Sequence, residues 1–257
     1  MRVWARWIYV WFTALFCDPL AVIRRWCGLG RYVTNWFAFK RLGGQRGIRL
    51  SWRDSYPCLE DWTAPAGATS GHYFYQDLWA AKKVYDSGVT HHVDVGSRLD
   101  GFVAHLIPFC QVTYVDIREV QSGLENLVYV RGSLLDLPFE RGSVSSLSCL
   151  HVLEHVGLGR YGDPIEPDGH RKAAHELGRV LAPGGRLLIG VPVGVERVCF
   201  NAHRVLDPSS VLEMFVDLTL AEFSLIDDEA LTIIQDAPIE EARRCKYGCG
   251  LFEFTKK

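Results

Sequence analysis

The sequence predicts an α/β fold built on a doubly wound, mostly parallel sheet. Three observations predict it. From His91 onward, short apolar runs alternate with segments of helical period, the pattern of parallel strands joined by crossover helices. The first run ends in Asp94 and enters a turn through Gly96, and a second run ends in Asp116, 20 residues beyond that glycine. Such a unit presents backbone N–H groups and a helix N-terminus to a ligand, and its second acid can hold the hydroxyls of a ribose. Finally, 257 residues suffice for one such domain with an appendage.

The appendage is chemically distinct. Residues 1–60 hold ten Lys/Arg and three Asp/Glu, a balance of +7, while residues 61–257 hold eighteen and twenty-seven, a balance of −9. Seven of the eight tryptophans fall in the first 62 residues. Residues 2–17 fit one helix, with Arg2, Arg6, Tyr9 and Thr13 on a narrow polar face opposite Trp4, Trp7, Ile8, Trp11 and Leu15. Sixteen residues span about 24 Å, short of the roughly 30 Å of a bilayer core. Asp18-Pro19 reads as the cap and first residue of a second helix, ending near Gly28. A basic, Trp-rich front on an acidic body points to contact with a membrane surface through residues 1–27. It argues against a nucleic-acid partner, which calls for a basic patch on the folded domain. Packing of the helix on the chain's own domain is the alternative.

Residues 1–39 thus form an amphipathic helical extension. Residues 40–71, broken by Gly43, Gly44, Gly47, Pro57, Pro65, Gly67 and Gly71, read as a linker. Residues 72–257 form the α/β domain. Within it, Tyr73–Tyr85 reads as a helix and the strand at His91 follows. An apolar-rich span from Phe102 to Pro108 reads as the next helix, and Val112–Asp116, Leu127–Val130 and Val144–Leu150 read as strands. After a Gly/Pro-rich loop over 157–169, a helix runs to Leu181 with Ala174, Leu177 and Val180 on its apolar face. Pro183-Gly184-Gly185 turns the chain into a fifth strand ending at Pro192. A helix at Pro208–Phe215 and strands at Leu220–Ile226 and Leu251–Thr255 complete the domain.

Eight cysteines are scattered through apolar contexts, which suggests a reducing compartment rather than a disulfide framework. Cys245 and Cys249 lie four apart, but a metal pair would need two further ligands that the sequence does not place. No metal is expected.

Arg179-Val-Leu-Ala-Pro-Gly-Gly-Arg-Leu-Leu-Ile189, with Leu137-Pro-Phe139 and His151-Val-Leu-Glu-His155 before it, resembles the class I S-adenosylmethionine-dependent methyltransferases over about residues 90–255. Further segments resemble one branch of that superfamily, a domain-of-unknown-function family often associated with bacterial surface-glycan gene sets. These are Tyr56-Pro-Cys-Leu59, His72-Tyr-Phe74, Gly157-Leu-Gly-Arg-Tyr-Gly-Asp-Pro164, Phe200-Asn-Ala-His-Arg204 and Tyr247-Gly-Cys-Gly250. The resemblance implies a Rossmann-like methyltransferase sheet with an antiparallel last strand and S-adenosylmethionine as cofactor. It also implies a small-molecule or glycan acceptor, methylated on oxygen. With residues 1–27 at a membrane surface, the expected location is cytoplasmic, peripheral on the inner membrane.

Carried over residue by residue, the resemblance places Asp94, Gly96, Ser97 and Arg98 at the cofactor's turn. Arg98 and Asp100 stand where the pattern has glycines. A side chain at 98 either obstructs the methionine moiety or pairs with its carboxylate. Asp116 matches the ribose-binding acid, Ile117 covers the adenine, and Ser133 and Leu134 flank it. Leu150 and His151 line the pocket at the carboxyl end of their strand. Methyl transfer to oxygen calls for in-line geometry and often a general base. His155, Asp163 and His203 are the candidates, with His155 favoured. Arg160, Tyr161, Asn201 and Arg204 are candidates for holding the acceptor.

Two other enzyme classes fit less well. His151-x-x-Glu154-His155 matches an inverted zinc-protease motif, but it follows a buried strand and precedes a glycine-rich loop rather than lying in a long helix. A nicotinamide dehydrogenase would carry the missing glycines. The rival from another class is a non-catalytic, methyltransferase-like binding or scaffold module of a membrane-associated glycan pathway.

Overall fold

The computed structural model describes residues 12, 18–45, 48–51, 53, 55–61, 64, 67 and 69–257. Apart from Phe12, the helix expected over residues 2–17 lies outside the described residues. The chain divides into two compact units, residues 1–68 and 69–257.

In the first unit, helix α1 spans Pro19–Gly44. Asp18 caps it, its side chain accepting from the Leu20 amide at 2.9 Å, with Pro19 at the first helical position as expected. The helix does not end near Gly28. It continues to Gly44, so the segment expected as linker from residue 40 begins inside it. The reason lies in what Gly28 meets: a Cβ there would sit 1.8 Å from the Leu59 carbonyl oxygen. The glycine admits a close approach of backbone instead of ending the helix. Glu60, beside that contact, accepts from Arg25 Nε at 3.0 Å and from Arg24 Nε at 3.4 Å. Among the described residues, no helix is long and apolar enough to cross a membrane.

The second unit is a seven-stranded sheet with helices on both faces. Its strands are β1 (His91–Val95), β2 (Gln111–Asp116), β3 (Leu127–Arg131), β4 (Val144–Leu150), β5 (Leu181–Val193), β8 (Thr219–Ile226) and β9 (Gly248–Thr255). They lie in the order β3-β2-β1-β4-β5-β9-β8. Strands β1 to β5 pair in parallel with one another, and β9 runs antiparallel to both β5 and β8. This is the Rossmann-like methyltransferase sheet with its antiparallel last strand. A separate hairpin, β6 (Arg197–Cys199) with β7 (His203–Val205), projects after β5.

Strand alternation divides the core into two layers. Val93, Val115, Leu147, Leu187 and Ile189 face helix α3 (Gly169–Val180), whose Ala173, Ala174, Leu177 and Val180 are buried against them. Helices α4 (Pro208–Met214) and α5 (Ile239–Arg244) add Val211 and Ala242 to that layer. On the opposite face, Val112, Tyr114, Leu188 and Leu251 pack with Trp79, Ala80 and Val84 of helix α2 (His72–Asp86). Burying each large apolar side chain is worth roughly 1.5–3 kcal/mol.

Three elements depart from the expected course. The helix over Phe102–Pro108 is reduced to a π-helical turn, Leu99–Val103, and a single helical turn, Ala104–Leu106. Gly101 breaks the regular path with φ −119° and ψ −108°, where a Cβ would lie 2.3 Å from Asp77 Oδ2. The β6–β7 hairpin and α5 are too short to leave a periodic signal.

Candidate active site

The strand order reverses between β1 and β4, which opens a crevice at the carboxyl ends of the parallel strands. A cavity of about 500 Å³ lies there. Gly96, Ser97, Arg98 and Leu150 line one part of it, and Asp116, Ile117, Ser133 and Leu134 another. His151, His155, Tyr161 and Asp163 also face it. Asp94, Arg160, Asn201, His203 and Arg204 do not line it.

The turn after β1 is held from below. Gly96 has φ +74°, and a Cβ on it would lie 2.9 Å from Val152, so a glycine is required twice over. Asp94 does not contact the cavity, contrary to expectation. Its carboxylate accepts from the Ser97 amide at 3.0 Å, the Ser97 hydroxyl at 2.6 Å and the Ser148 hydroxyl at 2.5 Å. Ser97 Oγ in turn accepts from the Leu150 amide at 3.1 Å, tying β1 to β4. Burial pushes the Asp94 carboxyl up to about 7 despite these bonds. At the rim, Arg98 and Asp100 bind each other. Arg98 Nε and Nη2 donate to Asp100 Oδ1 and Oδ2 at 3.1 and 3.0 Å, and the guanidinium lies 5.0 Å from the Tyr73 ring centre.

Asp116 ends β2, and its carboxylate is fully engaged. Oδ1 accepts from the Arg118 amide at 2.8 Å and from Arg118 Nε at 3.0 Å. Oδ2 accepts from Arg118 Nη2 at 2.7 Å and from the Tyr114 hydroxyl at 3.0 Å. Burial favours the neutral acid, but the bonds from Arg118 and Tyr114 outweigh it and hold Asp116 below its ordinary value. The Arg118 guanidinium also lies 4.7 Å from the centre of the Tyr161 ring.

His155 combines reach with a defined tautomer. Its Nδ1 meets the Ala202 carbonyl oxygen at 2.6 Å, so that nitrogen carries the proton and Nε2 keeps a lone pair. Nε2 lies 3.7 Å from Glu154 Oε1. Burial lowers the His155 pKa, only partly countered by Glu154, so the ring is neutral at neutral pH.

Several expected roles are corrected by what the side chains touch. Asp163 Oδ2 accepts from the amides of Gly157 at 2.7 Å and Gly159 at 3.3 Å, and Oδ1 from Tyr161 at 3.3 Å. These bonds shape the loop and leave Asp163 poorly placed as a base. Arg204 is buried and donates to the carbonyls of Glu154, Val156 and Pro167 at 3.2, 2.7 and 3.0 Å. It anchors the same loop and is not free to hold an acceptor. Asn201 occupies the exposed β6–β7 turn with φ +60°. Arg160 donates to the Ala202 carbonyl at 2.9 Å and lies 5.0 Å from the Tyr161 ring centre. His203 is half-buried beside the Tyr247 ring, 5.1 Å away, and burial lowers its pKa. Sequence reasoning missed Arg118, Tyr73, Tyr114 and Glu154. A basic residue two places after the ribose acid and the three-residue step from His151 to Glu154 were the available signals.

Residues 141–243 match a family described as "Caenorhabditis protein of unknown function, DUF268". The chain matches no curated protein. Among solved structures, the N-methyltransferase NodS from Bradyrhizobium japonicum WM9, in complex with S-adenosyl-L-homocysteine, shares 16% identity at a TM-score of 0.51. The match covers 85% of this chain and 97% of that one. The [4+2]-cyclase SpnF shares 13% identity at a TM-score of 0.51, covering 81% of this chain and 85% of that one. These likenesses establish the fold of class I S-adenosylmethionine-dependent methyltransferases. One of the two is a cyclase, so the fold alone does not fix the reaction.

Proposed function

We propose that this chain transfers a methyl group from S-adenosylmethionine to an oxygen atom, with a sugar hydroxyl of a glycan precursor as the acceptor. One observation carries the reading: the Gly96 turn and the Asp116 carboxylate face one cavity at the carboxyl ends of β1 and β2. Its volume of about 500 Å³ suits a nucleoside-sized ligand. Gly96 offers bare backbone, Asp116 accepts from ribose hydroxyls, and Ile117 and Leu134 provide apolar cover for a base. When bound, the cofactor supplies an electrophilic methyl group. His155 Nε2, held as an acceptor by the Nδ1 bond to Ala202, takes the proton of the acceptor hydroxyl. Tyr161 and Arg98 border the space above. The acceptor class rests on the resemblance of the 157–164, 200–204 and 247–250 segments.

Attachment to a membrane surface belongs to the same proposal. On α1, Ile23, Trp26, Leu29, Val33 and Phe37 are exposed and fall within about 120° at roughly 100° per residue. Incubation with methyl-tritiated S-adenosylmethionine and lipid-linked glycan extract tests the acceptor. Label in the glycan that His155→Ala loses supports it. Equal labelling by the variant, or label confined to protein, refutes it.

A further inference from the structure

We propose that His72, His151 and Cys249 form a binding site for one divalent metal ion of zinc character, independent of the methyltransferase reading. The three residues come from the start of α2, the end of β4 and the start of β9. The fold brings their ligating atoms within 4.8 Å of one another. Zinc bonds of about 2.0–2.3 Å at tetrahedral angles place ligand atoms roughly 3.3–3.8 Å apart. Closing the site therefore takes a contraction of about one ångström and a rotation of one imidazole out of the stacked arrangement, so that both in-plane lone pairs meet the ion.

Hydrogen bonding already selects the ligating tautomers. His151 Nδ1 meets Glu154 Oε1 at 2.7 Å, which commits that nitrogen as donor. The remaining ring nitrogen, Nε2, is buried with no oxygen or nitrogen partner, and the Cys249 thiol is the group that interacts with the ring beside it. Buried polar atoms are rarely left in this state, and an unplaced ion is one ordinary explanation. His72 Nε2 meets the Tyr247 carbonyl oxygen at 3.1 Å, which leaves Nδ1 with the lone pair. An imidazole held on its far side by a carboxylate or a carbonyl is the usual form of a metal-bound histidine, because that bond fixes the ring and raises its basicity. The two rings lie parallel, 5.4 Å apart with 2° between planes. Cys249 is fully buried, and its sulfur is 3.8 Å from Gln76 Oε1.

The backbone supports the assignment. His151 takes φ +53°, a strained left-handed conformation for a non-glycine residue. Strain of this kind persists where the surroundings over-determine a side chain's position. Two imidazoles and a thiolate favour zinc or a similar borderline ion over magnesium or calcium. Three protein ligands leave a fourth position for water or a small ligand. The His-x-x-Glu-His run is thus used differently from the protease motif it resembles. Glu154 orients one ligand, and His155 is held away by Ala202.

Titration of the metal-free full chain with Co²⁺ tests the site. We expect uptake of one equivalent, with a near-ultraviolet sulfur-to-cobalt band and intense tetrahedral bands in the visible, all displaced by Zn²⁺. Cys249→Ser should abolish the charge-transfer band, and Cys245→Ser should retain it. His72→Ala, at a half-buried position, should remove stoichiometric binding while far-ultraviolet circular dichroism stays unchanged. Glu154→Gln should weaken the ion about 10–100-fold. Folded protein that gives no sulfur-to-cobalt band, or a full band in Cys249→Ser, would overturn the proposal in favour of a metal-free thiol–imidazole cluster.

Discussion

Arg118 grips both oxygens of the Asp116 carboxylate, at 3.0 and 2.7 Å, at the end of β2, where the proposed cofactor would set its ribose diol. A nucleoside entering this cavity therefore competes with the guanidinium. The arginine side chain is about half exposed, so solvent limits the pair to about 1 kcal/mol or less. Arg118→Ala should tighten S-adenosylhomocysteine up to about fivefold, as read by calorimetry. Weaker binding would mean that Arg118 holds the ligand itself.

Arg98 pairs with Asp100 and lies against Tyr73 at the rim, so its side chain borders the space instead of filling it. If it meets the carboxylate of the amino-acid moiety, Arg98→Ala should weaken S-adenosylhomocysteine and leave methylthioadenosine, which lacks that moiety, unaffected. Equal losses for both ligands would contradict this role.

Asp94 gives a pH signature. Its folded pKa, pushed up to about 7, exceeds the roughly 3.9 of an unfolded aspartate. The folded state then binds the proton more tightly. The associated stability is complete below about pH 4 and is lost as pH rises through 7. Asp94→Asn, which carries no titrating proton, should flatten this part of the slope in urea unfolding at about pH 4.5, 6 and 7.5. Parallel slopes in the two proteins would show that Asp94 is ionised throughout.

Arg204→Ala removes three bonds to backbone carbonyls, two of them on buried residues, and should cost roughly 3 kcal/mol of stability. Cofactor affinity should change little. A variant of unchanged stability that lost acceptor binding would restore the arginine to the acceptor site.

The sheet was legible because its signals are local. Val112–Asp116 and Val144–Leu150 are short apolar runs between turn formers, and Ala174, Leu177 and Val180 repeat at helical spacing. Gly96 and Asp116 were picked out by position, and the structure sets both at one cavity. The long reach of α1 was hidden because Gly28 looks the same whether it ends a helix or admits Leu59. Asp163 and Arg204 read as chemistry from side-chain type alone, yet their partners are backbone amides and carbonyls that no residue pattern records. Cys249 could not be joined to His72 and His151 in the sequence because only the sheet order brings β9 beside β5, itself the neighbour of β4.

Calorimetric titration of the full chain with S-adenosylhomocysteine tests the central claim most directly. The account predicts micromolar binding at one site that Asp116→Ala weakens at least about 100-fold, a loss of roughly 2.7 kcal/mol. Absence of binding to protein shown to be folded, or binding indifferent to Asp116→Ala, would contradict it.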